Sequence, residues 1–265
     1  MTAYAFIGAG KMCEAILKAL LKKEYLSNYE VILSDVDSER LNYMSERYRV
    51  RVVTSNRQAV EEARVIVLAV KPQNHPSVLP EIGDLLDEEK ILISIAMGKS
   101  TESIEAYLAK PVPVVRVMPN TPALVSASIS SISYGKHVTP EARELVLELF
   151  SQLGEVVEVE ERLQDEVGTI SSCGPAYFYL MVEALSDAGV RIGLERTLAR
   201  KIAIETMIGS GLMLRETGIH PAELRDMVTS PGGTTIAAIE VLEERGFRSA
   251  IIKAVQAALR RAKEF

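Results

Sequence analysis

Tyr4-Ala5-Phe6-Ile7-Gly8-Ala9-Gly10-Lys11-Met12-Cys13 decides how the front of the chain is read. A short apolar run ends at Gly8, and residues with helical spacing begin at Lys11. Between them lies GxGxx followed by a small residue. Alone, that glycine pattern is weak. Between a strand and a helix, with an acid at the end of the next strand, it is a phosphate-binding turn. Gly8 permits the tight turn, and Gly10 lets backbone approach a pyrophosphate. The helix beyond offers unpaired N–H groups and the positive end of its dipole. Cys13 stands where glycine or alanine is usual, and it is still small enough for close packing. Gly98-Lys99-Ser100 resembles the tail of a phosphate-loop NTPase motif, but Ile93 occupies the place of its first glycine.

Outward from this turn, short β-branched runs alternate with helical patterns through about residue 160. Strands are expected at Tyr4–Gly8, Glu30–Ser34, Val50–Val53, Val65–Val70, Ile91–Met97, Val114–Met118, Ser128–Tyr134 and Val156–Val159. Helices are expected at Lys11–Lys23, Ser38–Tyr48, Arg57–Glu62, Thr101–Leu108 and Pro140–Leu153. A run such as Val65-Ile66-Val67-Leu68-Ala69-Val70 is apolar on both faces, as buried parallel strands are. The alternation implies a doubly wound, mostly parallel α/β domain over residues 1–160. After Glu160 the strand signal stops. Ala176–Val190, Thr197–Thr217, Pro221–Val228, Thr235–Arg245 and Ser249–Lys263 read as helices, giving an all-α domain over residues 161–265. Ala199, Ile202, Ala203, Thr206, Met207 and Ser210 form a small-sided stripe that lets another helix approach closely. Tyr177–Leu185 is apolar nearly all the way round, which a small helical domain accommodates most simply by dimerising. The acidic boundary, poor in Gly and Pro, implies a stiff connection.

Composition narrows the classes of function. The chain has 265 residues, 48% hydrophobic and 25% charged, with a net charge of −6. That is an ordinary globule, and its acidity does not favour nucleic acid. Cys13 and Cys173 are too far apart for a metal knuckle, and His75, His137 and His220 are scattered. Two cysteines fit a reducing cytoplasm. No apolar run reaches the ~18 residues of a membrane span, and the first residues lack a signal peptide's basic region.

In open α/β sheets, ligands lie beyond the carboxyl ends of the strands. Those ends carry Ser34-Asp35-Val36-Asp37, Ala69-Val70-Lys71-Pro72 and Ala96-Met97-Gly98. A carboxylate at Asp35 suits both hydroxyls of an adenosine ribose and points to NADH. If the strand ends one residue earlier, Ser34 faces the ribose, and Arg40 or Arg57 is placed to neutralise the 2′-phosphate of NADPH. Asp37, followed by Ser38, reads as a helix N-cap. Lys71 has equal claims as a contact to cofactor, a contact to an anionic substrate, or a solvated charge. In the second half, Cys173-Gly174-Pro175-Ala176-Tyr177 opens a helix. Ser230-Pro231-Gly232-Gly233-Thr234-Thr235 precedes another and combines hydroxyls, backbone N–H groups and a dipole end suited to a carboxylate. The plainer reading of that loop is an N-capped helix after a turn.

Taken in order, IGAGKM, LAVKPQ, SIAMG, VRVMPNTP, CGPAYF and VTSPGGTT, with GFRSAI after it, strongly resemble the pyrroline-5-carboxylate reductases over nearly the whole chain. The resemblance implies a Rossmann-like domain with a helical dimerisation domain, and often a ring of dimers. It implies reduction of 1-pyrroline-5-carboxylate to L-proline by NADPH or NADH. It assigns Gly8, Ala9, Gly10, Lys11, Met12, Ser34, Asn56, Ala69, Val70, Lys71, Pro72 and Ala96 to the dinucleotide, and Ser230, Thr234 and Thr235 to the substrate. Gly232 and Gly233 would add backbone amides to the carboxylate grip. Thr235, Thr234 and Ser230 are then the catalytic candidates, with no single acid assigned. An iminium is already electrophilic, and alignment is the larger part of the task. Cys173 departs from the family's serine, and a thiol is the poorer hydrogen-bond partner. Lys11 stands where asparagine is frequent. Two rival readings are a nucleotide-binding regulator without turnover and a β-hydroxyacid dehydrogenase-like enzyme. The latter needs a lysine early in its second domain, and none lies between His137 and Arg200.

Overall fold

The structure is a computed structural model that describes residues 3–264. Eight strands form one sheet: β1 Tyr4–Ile7, β2 Val31–Ser34, β3 Arg51–Val53, β4 Val65–Leu68, β5 Ile91–Ser94, β6 Val114–Met118, β7 Ser128–Tyr134 and β8 Gly154–Glu158. Their order is β3-β2-β1-β4-β5-β6-β7-β8. β6 and β7 run antiparallel, and the other neighbours are parallel. The interleaved helices are α1 Lys11–Lys22, α2 Ser38–Tyr48, α3 Asn56–Glu62, α4 His75–Ile82, α5 Thr101–Glu105 and α6 Pro140–Ser151.

Alternate residues of each central strand feed opposite layers, as a pleated strand requires. Tyr4, Phe6, Val31, Leu33, Val65 and Val67 pack under α1, α2 and α6 through Ile16, Leu17, Leu20, Met44, Val146 and Phe150. Ala5, Ile7, Ile32, Ile66 and Leu68 pack under α3, α4 and α5 through Ala59, Val60, Leu79, Ile82 and Ile104. Each large side chain so buried contributes roughly 1.5–3 kcal/mol over leaving it in water. The doubly wound, mostly parallel domain expected from the sequence is present. Where β1 sits between β2 and β4 the winding reverses, the switch point at which such sheets bind ligands.

Six further helices follow: α7 Gln164–Ser171, α8 Gly174–Arg191, α9 Arg196–Thr217, α10 Pro221–Met227, α11 Thr234–Glu244 and α12 Phe247–Ala262. The described residues form two compact units. One runs through Cys173 and takes in the stretch from Ala258, and the other is Gly174–Ala257. In the first, Lys263 Nζ lies 3.2 Å from Glu166. In the second, α8 and α9 meet along Gly189, where a Cβ would come within 2.7 Å of Ala199 Cβ. Ala199 and Ala203 are buried in this contact, while Ile202, Thr206 and Ser210 of the expected stripe face outward within one chain.

One expectation needs correcting, and two helices were not anticipated. The helix expected at Thr101–Leu108 stops at Glu105, and the rest is a turn. Helix α4 carries Pro76 in its first turn and Pro80 inside, which hid its helical pattern. Helix α7 turns Gln164, Gly168, Thr169 and Ser171 inward, so it has no apolar stripe to recognise.

Candidate active site

The turn after β1 explains both of its glycines. Gly8 has φ +102°, and a Cβ there would come within 2.9 Å of the Ala69 carbonyl carbon and 3.0 Å of Val70 Cγ1. Only glycine meets both the positive φ and the close approach to the end of β4. The Gly8 N–H donates to the Ser34 carbonyl at 2.8 Å, locking the loop to β2. Gly10 is the N-cap of α1 with no side-chain cap, and nothing lies within 4 Å of where its Cβ would be. The first N–H groups of α1 lack intrahelical partners and open onto that space. These features fit a pyrophosphate.

Around the turn, the carboxyl ends of the strands bring most of the expected cofactor residues together. Strand β2 ends at Ser34, so Asp35 lies just beyond it. Ser34 is buried, and its Oγ donates to Asn56 Oδ1 at 2.5 Å, while Asn56 Nδ2 donates to Glu81. Asp35 Oδ2 accepts the Ala9 N–H at 2.5 Å, and Oδ1 accepts the Asp37 N–H at 2.9 Å. Asp37 caps α2 by accepting the Arg40 N–H, as its position implied. Ala69 and Val70 are half-buried against Gly8, Pro72 opens a short 3₁₀ turn, and Ala96 is buried beyond β5. Lys11 and Lys71 are exposed, and Met12 is half-buried. Cys13 is buried in the core, where burial pushes its thiol far up and leaves it a packing residue.

Neither arginine suggested for a 2′-phosphate is free. Arg40 Nε donates to the Ala9 carbonyl at 2.6 Å, and its Nη2 lies 2.5 Å from Glu14 Oε2. Burial alone would raise the Glu14 pKa. Hydrogen bonds from Arg40, Tyr48 and Tyr43 outweigh it and hold the carboxyl below its usual range. Arg57 forks onto Asp84 through both terminal nitrogens.

A second set of polar residues supports this edge and was not anticipated. Arg116, buried on β6, lies 2.5 Å from Asp165 Oδ1. Asp165 also accepts the Gly98 N–H, and Glu161 accepts both the N–H and hydroxyl of Thr101 at 2.6 Å. Residues soon after β8 thus hold the middle of the loop that follows β5 and the start of the helix beyond it. The signal lay in Val114-Val115-Arg116-Val117-Met118, where a cation interrupts an apolar strand.

The substrate candidates lie in the second unit. The Gly233 N–H donates to the Ser230 carbonyl at 3.0 Å, closing a turn with Pro231 second and Gly232 third, at φ +67°. That is the residue placement of a type II turn. Gly233 is the N-cap of α11 with no side-chain cap, so Thr234, Thr235 and Ile236 present N–H groups without intrahelical partners. Ser230 and Thr234 are exposed, and Thr235 is half-buried. Cys173 is half-buried, and its N–H donates to the carbonyl of Gly168, midway along α7.

A doubly wound sheet with a glycine turn at its switch point, followed by helices, defines a dinucleotide-binding protein of the Rossmann type. Residues 161–265 match the family model for pyrroline-5-carboxylate reductase dimerisation, and residues 3–98 match that for coenzyme F420-dependent NADP oxidoreductase. The chain is 43% identical to a pyrroline-5-carboxylate reductase of Synechocystis sp. over 97% of its own length and 96% of the relative's. It is 42% identical to one of Methanosarcina acetivorans over 98% and 96%. The crystal structure of Plasmodium falciparum pyrroline carboxylate reductase with NADP bound superimposes with a TM-score of 0.92 at 30% identity, covering 99% of this chain and 97% of that one. The chain belongs to the pyrroline-5-carboxylate reductase family.

Proposed function

We infer that this chain reduces 1-pyrroline-5-carboxylate to L-proline using NADH or NADPH, the last step of proline biosynthesis. The observation that carries this is a pair of uncapped, glycine-preceded helix starts in a chain of this family: Gly10 before α1 and Gly233 before α11. Each is built for an anion, one for a pyrophosphate and one for a carboxylate. A dinucleotide held at Gly8 to Met12, Ser34, Asp35, Asn56, Ala69 to Pro72 and Ala96 supplies a hydride. The α11 amides and the Thr235 hydroxyl grip the substrate carboxylate, while Ser230 and Thr234 orient the imine nitrogen. The C=N carbon takes the hydride and the nitrogen keeps or gains its proton, so no strong protein acid is required. We assign nucleotide binding to residues 1–160, and substrate binding and dimerisation to residues 161–265. The enzyme works as a homodimer or a ring of dimers in the cytoplasm, without nucleic acid or membrane partners. Its net charge of −6 supports the former exclusion. For the latter, no helix among the described residues is long and apolar enough to cross a bilayer.

The test is loss of reduced-nicotinamide absorbance with 1-pyrroline-5-carboxylate, run beside Thr235→Val. Turnover is expected in the parent. The variant should lose about 10–100-fold in kcat/KM, the value of one hydrogen bond to a charged group, with dinucleotide affinity unchanged. Nucleotide binding without turnover in the parent would leave a regulator, and equal loss of nucleotide affinity in the variant would remove the α11 assignment.

A further inference from the structure

We propose that the adenosine end of the site selects a free 2′-hydroxyl over a 2′-phosphate, making NADH the working cofactor, with Asp35 as the discriminating residue. The proposal rests on the dinucleotide reading above and adds which dinucleotide. Asp35 follows the last residue of β2, and two backbone N–H groups hold its carboxylate. One comes from Ala9 inside the glycine turn, and the other from Asp37. A dinucleotide whose pyrophosphate rests on α1 must run its adenosine ribose past the end of β2. There it meets acceptors suited to two hydroxyls, and a 2′-phosphate would place like charges side by side.

The usual compensations are occupied. Arg40 is committed to the Ala9 carbonyl and to Glu14. Arg57 is forked onto Asp84 and also donates to the Glu81 carbonyl. Lys11 and Lys71 follow β1 and β4, one and two strands away from β2. The serine that would suit a phosphate, Ser34, is fully buried and donates to Asn56, whose amide in turn reaches Glu81. Among the described residues, Asp35, Asp37, Glu81 and Asp84 therefore meet two arginines at this edge, Arg40 and Arg57, each already paired. The balance opposes a further phosphate, and removing the charge at Asp35 as asparagine should relieve it without disturbing the turn, because the amide oxygen still accepts from Ala9.

Calorimetric titration of the full chain with ADP-ribose and 2′-phospho-ADP-ribose, and with NADH and NADPH, reads the discrimination apart from catalysis. The parent is expected to bind the ligands without the 2′-phosphate at least about tenfold more tightly. Asp35→Asn should shrink that ratio about tenfold, chiefly by tightening the phosphorylated ligands, and Arg57→Ala should leave it unchanged. Equal or tighter binding of the phosphorylated ligands by the parent would overturn the proposal while sparing the dinucleotide reading. So would an Asp35→Asn variant that weakens all four alike, or an Arg57→Ala variant that loses only the phosphorylated pair. Failure to bind any of the four would remove the dinucleotide reading and this proposal together.

Discussion

His75 opens α4 with 2% of its surface exposed, and neither ring nitrogen has a hydrogen-bond partner among the described residues. Burial, and then the charge of Lys99, lowers its pKa from 6.5 to about 4. As pH falls from 6.5 towards 4, the unfolded chain binds a proton here that the folded chain refuses. This contribution is present in full above pH 6.5 and is lost on the way down, by up to roughly 3 kcal/mol. His75→Leu should flatten that part of the decline and cost little at neutral pH, since no hydrogen bond is given up. Urea midpoints at about pH 7 and pH 5 check this, and parallel losses in parent and variant would assign the decline to other groups. Residues whose role is local were legible beforehand: Gly8 from its turn, Asp37 from its cap. The burial of His75 was not, because a helix hidden by two prolines creates it.

Helix α7 and strand β7 show the same limit at the scale of elements. Ser128-Ile129-Ser130-Ser131-Ile132-Ser133-Tyr134 reads as a half-buried strand, yet all four serines are buried. Ser131 Oγ donates to Gln164 at the start of α7, and Gln164 donates to the Arg116 carbonyl. Asn120 accepts from Ser128 Oγ and the Ile129 N–H and donates to the Ser171 carbonyl, joining β7 to the end of α7. Two polar surfaces thus bury each other, which neither could do alone. Asn120→Ala should strand these partners and cost about 1–3 kcal/mol, seen as a lower denaturant midpoint at unchanged slope. A change below about 0.5 kcal/mol would mean the seam repairs itself. The seam also ties the Asn120 loop to the end of α7 within the first unit.

At the scale of the whole molecule, the helices of the second unit leave much apolar surface uncovered within one chain. Leu180 is 66% exposed and Ile192 80%, with Phe178, Tyr179, Ile208 and Ile252 also exposed. Apolar surface of this extent marks an interface, in agreement with the dimerisation model that residues 161–265 match. Light scattering at micromolar concentration is expected to give at least twice the chain mass of 29.1 kDa, and Leu180→Glu should shift the population towards single chains. A single-chain mass for the parent would end this assignment. The sequence alone determined the glycine turn, the alternation of strands and helices, the change to helices near residue 160 and the loop before α11. Each is written within a few neighbouring residues, in periodicity and backbone sterics. Tertiary structure decided where Asp35 aims, which acids occupy Arg40 and Arg57, the antiparallel entry of β7 and the polar seam beneath α7. Those depend on partners such as Ala9 and Asp35, 26 positions apart, or Arg116 and Asp165, 49 apart. Only folding brings such residues within hydrogen-bonding distance, and no local pattern encodes the pairing.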